Sequence, residues 1–156
     1  MKPTLCLLFL LLAVPGCSEK SQVSDPAHNQ MKQQNGVKLS LTLDKPSYGP
    51  QDEIHAHVEA ANDSTESVDY IGYSSCDPGI SVASLGYTRV KKAGEPDLCA
   101  AVVVPKTLPP SQTLALDVVL RPTKPASSGA HTVRAVFQRG QKRDEHVVID
   151  VPFTVP

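Results

Sequence analysis

From residue 37 to the C-terminus, apolar and polar residues alternate with a period of two, interrupted by clusters of proline, glycine, asparagine and aspartate. Val37, Leu39, Leu41 and Leu43 are separated by Lys38, Ser40 and Thr42, which predicts a strand with one buried face. The stretch 44–50 is turn material, with two prolines that cannot donate to a ladder. A second strand follows, with Ile54, Ala56, Val58 and Ala60 on one face and Glu53, His55, His57 and Glu59 on the other. Further strands are expected near residues 67–73, 80–90, 100–104, 114–120, 132–138 and 146–155, the middle of 80–90 being open between strand and turn. No helix of ordinary length and no internal repeat emerges. Seven or eight short strands separated by turn signals predict an all-β fold, an antiparallel β-sandwich.

Composition strengthens this picture: the chain has 14 prolines, no tryptophan and 4% aromatic residues, which argues against a helical bundle. The pattern is different before residue 37. Met1-Lys2 supplies a positive start, residues 5–14 form an apolar run of ten, and Val14-Pro15-Gly16-Cys17 closes it. Ten residues fall short of the about 20 that a membrane-spanning helix needs, so 1–16 reads as an export signal. Residues 18–36, SEKSQVSDPAHNQMKQQNG, are polar and aperiodic; with Cys17 they are expected to form a flexible tether. The domain itself is then 37–156. Loss of 1–16 removes one charge and leaves 14 basic and 16 acidic side chains, a balance that favours neither nucleic acid nor an anionic surface. Of the four cysteines, Cys6 falls in the leader and Cys17 at its end, so Cys76 and Cys99 remain as an even pair in an exported, oxidising setting. A disulfide is the expected result, since a metal or redox site would call for a Cys-x-x-Cys turn or nearby ligands.

The Val14-Pro15-Gly16-Cys17 segment resembles the lipobox of bacterial lipoproteins, with Pro15 standing where a small residue is usual. That resemblance implies cleavage before Cys17, a diacylglyceryl group on its thiol, acylation of the new amine by a fatty acid such as palmitate, and anchorage in the cell envelope. Ser18 follows Cys17, and the enterobacterial sorting rule then favours the outer membrane, facing the periplasm. A second resemblance concerns the domain. Leu41-x-Leu43-Asp44-Lys45-x-x-Tyr48-x-x-x-Asp52-x-Ile54-x-Ala56-x-Val58 is similar to the opening hairpin of BsuPI-type proteinase-inhibitor-like lipoproteins and of the second macroglobulin domain of α2-macroglobulins. The turn 108–113 and the strand 128–135 resemble later parts of such domains, with His131 in place of a tyrosine that anchors a corner. The pairing of 76–82 with Cys99-Ala100 is likewise similar to that in secreted bacterial proteins of this type. Together these imply an immunoglobulin-like sandwich.

Candidate chemistry is sparse. His55 and His57 stand at i and i+2 on one strand face, about 7 Å apart, close enough to share a metal with Glu53 or Glu59, or simply to form a polar surface. No nucleophile elbow, zinc-protease motif or phosphate loop occurs, so the chain is not expected to be an enzyme and no cofactor is implied. The loop 74–99, fastened by Cys76 and Cys99, is the expected place for specificity, with Tyr73, Asp77, Tyr87 and Glu95 as contact candidates. The basic run 138–144, with Arg139, Lys142 and Arg143, reads as a hairpin tip that could meet an acidic partner. These features point to a lipid-anchored envelope protein acting by noncovalent protein recognition, in an inhibitor-like manner by resemblance. The alternatives are a structural or assembly lipoprotein of pilot or immunity type and, more remotely, metal binding through His55 and His57. The implied partners are the membrane, through Cys17, and an envelope protein.

Overall fold

The computed structural model describes residues 28–140 and 142–156. The leader, Cys17 and the first part of the expected tether lie outside the described residues.

Ten strands make an antiparallel β-sandwich: β1 (Asn29–Gln34), β2 (Val37–Leu43), β3 (Ile54–Asn62), β4 (Val68–Gly72), β5 (Ile80–Ser84), β6 (Tyr87–Arg89), β7 (Val104–Leu108), β8 (Thr113–Pro122), β9 (Gly129–Phe137) and β10 (Val147–Val155). One sheet runs β1-β2-β3-β8-β6, the second β10-β9-β5, and a small pair β4-β7 completes the fold. The Ile71 N–H donates to the Gln138 carbonyl at 3.0 Å, so the small pair continues the second sheet past the end of β9. The period-two pattern sets the core. Val37, Leu39, Leu41, Leu43, Ile54 and Val58 from the first sheet are sealed against Val133, Phe137, Val147, Val151 and Phe153 from the second. His55, His57 and Glu59 alternate outward, as the sequence dictates.

Three expectations change. Residues 29–34, assigned to the tether, form β1, paired along its whole length with β2. No apolar period marks it because it is an outer strand whose side chains stay largely exposed. Its pairing is directed by Asn35 and Gly36, whose φ values of 51° and 79° make the two-residue hairpin turn that an Asn-Gly pair favours. The run 80–90 divides into β5 and β6 at Leu85-Gly86, so the strands among the described residues number ten where seven or eight were expected. The strand expected at 100–104 begins only at Val104 and includes Pro105, tolerable because β7 pairs on one side alone among the described residues.

Asn62 is fully buried yet satisfied. Its amide nitrogen donates to the carbonyls of Glu66 (2.8 Å) and Leu108 (2.9 Å), and its oxygen accepts from the Ser64 N–H (3.0 Å) and hydroxyl (2.6 Å). One side chain thus fastens the end of β3 to the end of β7.

Candidate functional site

Cys76 and Cys99 are joined by a disulfide, with Cα atoms 5.6 Å apart. Two hydrogen bonds reinforce it: the Ser75 N–H donates to the Ala100 carbonyl, and the Ala100 N–H donates to the Ser75 hydroxyl, both at 3.0 Å. Segment 98–103, Leu-Cys-Ala-Ala-Val-Val, is thereby held along the surface without entering the core. Leu98 is 91% exposed, and Val102 and Val103 are about half exposed, at 49% and 50%. Tyr73, 48% exposed, follows directly on Gly72, the partner of Val104. The result is an apolar strip beside the open edge of β7. Beside it lies a cleft of about 460 Å³ lined by the disulfide, Pro78, Leu116 and the ion pairs Arg89–Glu95 and Lys91–Asp97.

The sequence singled out Tyr73 here but not Leu98, a residue of the loop 74–99 expected to carry specificity, and it missed Val102 and Val103, whose apolar run looked like an ordinary buried strand. Two other candidates take a different role. Asp77 is occupied in shaping the loop: its carboxylate accepts from the Tyr73 and Gly79 N–H groups, each at 2.8 Å, and Lys106 donates to its carbonyl. Gln138, oriented with its amide nitrogen toward Asp77 and Ile71, adds a buried contact from the end of β9. Gly79, at φ 90°, permits this turn because a Cβ there would come within 2.3 Å of the Tyr70 ring. Glu95 is held by Arg89 inside the loop and is not a free contact.

Tyr87 is not part of the strip. It lies at another end of the sandwich, edge-on to Phe153 with centroids 5.9 Å apart, in a separate cleft of about 600 Å³ with Leu85, Lys124 and His131. His131 Nε2 donates to the Ser127 carbonyl at 2.8 Å and its ring stacks on Phe153, so it ties β9 to the preceding loop and to β10. In the basic run, Arg139 bridges to Tyr70 through its backbone and is half-buried, while Lys142 is exposed. The Arg143 side chain lies outside the described residues.

His55 and His57 both face outward, but they are not equivalent. His57 Nδ1 lies 2.6 Å from Asp117 Oδ1, its cross-strand neighbour on β8, and Nε2 lies 3.2 Å from Glu59 Oε1. The Asp117 bond, then the Glu59 bond, raise the His57 pKa above the ordinary histidine value, and His57 in turn lowers that of Asp117. Both ring nitrogens thus face carboxylates, and His57 pairs with Asp117 and Glu59, not with His55. Among the described residues no group of three or more His, Cys, Asp or Glu side chains is arranged to hold a metal.

No protein-family model and no curated protein sequence matches the chain. Among solved structures, a FixG-related protein from Vibrio parahaemolyticus is similar at 12% identity and a TM-score of 0.48, over 78% of this chain and 98% of that one. Spo0M, a sporulation control protein from Bacillus subtilis, is similar at 16% identity and 0.47, and this chain, 78% of it aligned, covers half (50%) of that one. The ASH/PapD-like domain of human CEP192 aligns over 98% of this chain and 96% of that one, at 11% identity and a TM-score of 0.34. At these values none of the three bears on what the chain does.

Proposed function

We propose that the chain is a lipid-anchored protein of a bacterial cell envelope, held at Cys17, that acts without catalysis by noncovalent recognition of another envelope protein. The observation that carries this reading is the segment 98–103: apolar, exposed, and fastened by a covalent bond at Cys99. An exposed apolar run next to an open strand edge is a liability for a free protein and an asset for a bound one. Fastening lowers the ordering cost on association. The partner's matching feature is an extended apolar segment or an apolar cleft that takes one. The BsuPI-type resemblance supports a proteinase-inhibitor-like form of this reading, in which the cleft belongs to a secreted proteinase.

The test is affinity capture from envelope extract with the domain beginning at His28, so that β1 is kept, beside the Leu98→Asp and Val102→Asp variants. Burial of Leu98 is worth about 1.5–3 kcal/mol, or roughly tenfold to a hundredfold in Kd. A protein retained by the native domain and lost by both variants, with melting unchanged, supports the proposal. Equal retention by all three contradicts it.

A further inference from the structure

The register of the first sheet places the start of β1, the end of β2, the start of β3, the end of β8 and the start of β6 at one end of the sandwich. The described chain enters there, at His28, whose carbonyl accepts from the Leu43 N–H at 2.8 Å. The turn between β5 and β6 projects from the same end. Its Leu85 is 95% exposed, and its shape is fixed by Thr123, whose N–H and hydroxyl both donate to the Gly86 carbonyl, at 2.9 and 3.0 Å. Lys124 and Pro125 follow in the same loop, exposed, and Lys124 makes no ion pair with any described residue. Leu85 and Lys124 thus stand together at this end, lining one cleft with Tyr87 and Pro125.

We infer that this end is a membrane-contact face, with Leu85 entering the boundary between headgroups and acyl chains and Lys124 lying among lipid phosphates. The inference rests on the lipid-anchor reading of Cys17. Cys17 and His28 are eleven residues apart in sequence, and whatever path the chain takes between them it reaches at most about 40 Å. Because β1 belongs to the sandwich, the leash is much shorter than the sequence pattern implied, and this end is the one it ties down. The chain's small net negative charge provides no long-range attraction to a bilayer. The anchor makes that unnecessary, since it has already brought the end close and a second contact becomes intramolecular. Burying one leucine then biases seated over free orientations by roughly tenfold to a hundredfold. The long stem of Lys124 lets its charge stay at the phosphate level. Seating this end leaves the orientation of the strip at 98–103 fixed relative to the bilayer.

The chain contains no tryptophan, so Leu85→Trp supplies a single fluorophore at the tip. The lipidated protein is reconstituted into vesicles of phosphatidylethanolamine and phosphatidylglycerol, with Leu98→Trp as a second site. The expected result is a blue shift for Leu85→Trp on vesicle addition and loss of its emission with brominated lipids, with Leu98→Trp unchanged. Flotation with the vesicles and palmitate incorporation read the anchor separately. A protein that floats while Leu85→Trp stays in water overturns the contact face and leaves the anchor standing. A protein that does not float overturns both. A blue shift without vesicles, at the mass of a dimer, overturns the lipid as occupant in favour of a second copy.

Discussion

The Tyr48 hydroxyl donates to Asp44 Oδ1 at 2.6 Å, while the same carboxylate oxygen accepts the His55 N–H at 3.0 Å, so two residues four apart lock the crossing from β2 to β3. The Tyr48 ring is buried edge-on to Phe153, with centroids 5.4 Å apart. Replacing Tyr48 by Phe keeps the ring and removes the bond, and is expected to cost about 1–2 kcal/mol in denaturant unfolding. Burial first, then Asp44, push the Tyr48 pKa far above the ordinary tyrosine value. The unfolded chain loses this proton near pH 10 and the folded chain does not, so the unfolded state binds fewer protons above that pH and stability falls as pH rises. Tyr48→Phe flattens this alkaline decline; the shifts of Tyr70 and Tyr87, raised by burial, leave part of it.

Asn62 gives a second stability test. Its replacement by Ala leaves the Leu108 carbonyl without its donor in a buried site, at an expected cost of about 2–4 kcal/mol. Asn62→Asp is expected to be no better, because a carboxylate cannot donate to the two carbonyls that the amide nitrogen serves.

His57 titrates in contact with two exposed carboxylates, Asp117 and Glu59. Its raised pKa means that its contribution is complete below the ordinary histidine value of about 6.5 and is lost as pH rises through the folded value. Asp117, shifted down, sets the acid side: its contribution is lost as pH falls through its own folded value. Ring proton resonances followed by NMR are expected to show His57 deprotonating at higher pH than a free histidine, and moving back toward it in Asp117→Asn. A native His57 that titrates at the ordinary value contradicts the pairing.

The disulfide closes a loop with a sequence separation of 23. Cys76→Ser with Cys99→Ser is expected to lower stability by about 3 kcal/mol on the chain-entropy model. Amide exchange should increase in 98–103 and in 74–77, while β2, β3, β9 and β10 keep their protection, because none of those strands depends on the loop for pairing.

The sandwich was legible wherever one face of a strand meets the core. β2, β3 and β10 alternate without a break, and their expected bounds lie within two residues of the observed ones. β1 was not legible because its stability comes from backbone pairing, and Met31 on it is 62% exposed; the available signal was Asn35-Gly36, a hairpin turn read as part of a polar tether. The same limit hid the candidate site. An apolar run predicts burial, so Val102 and Val103 passed as a strand, whereas the chain there is held outside the core by Cys99 and Ser75; Leu98 lay in the loop 74–99 expected to carry specificity but was not singled out. The disulfide expected of Cys76 and Cys99 is present. The roles of Asp77 and Glu95 were not legible, since hydrogen bonds and ion pairs inside a loop leave no periodic trace.

Whether the segment 98–103 meets a protein is read out by photo-crosslinking in the intact envelope. A photoreactive amino acid replaces Val102 in the full chain, and in a second variant Ala115, exposed on β8. The expected result is a discrete adduct of higher mass from position 102, absent from position 115 and abolished by Leu98→Asp. Adducts of equal yield from both positions, or none from position 102 in a folded and anchored protein, would rule out a protein partner at this segment.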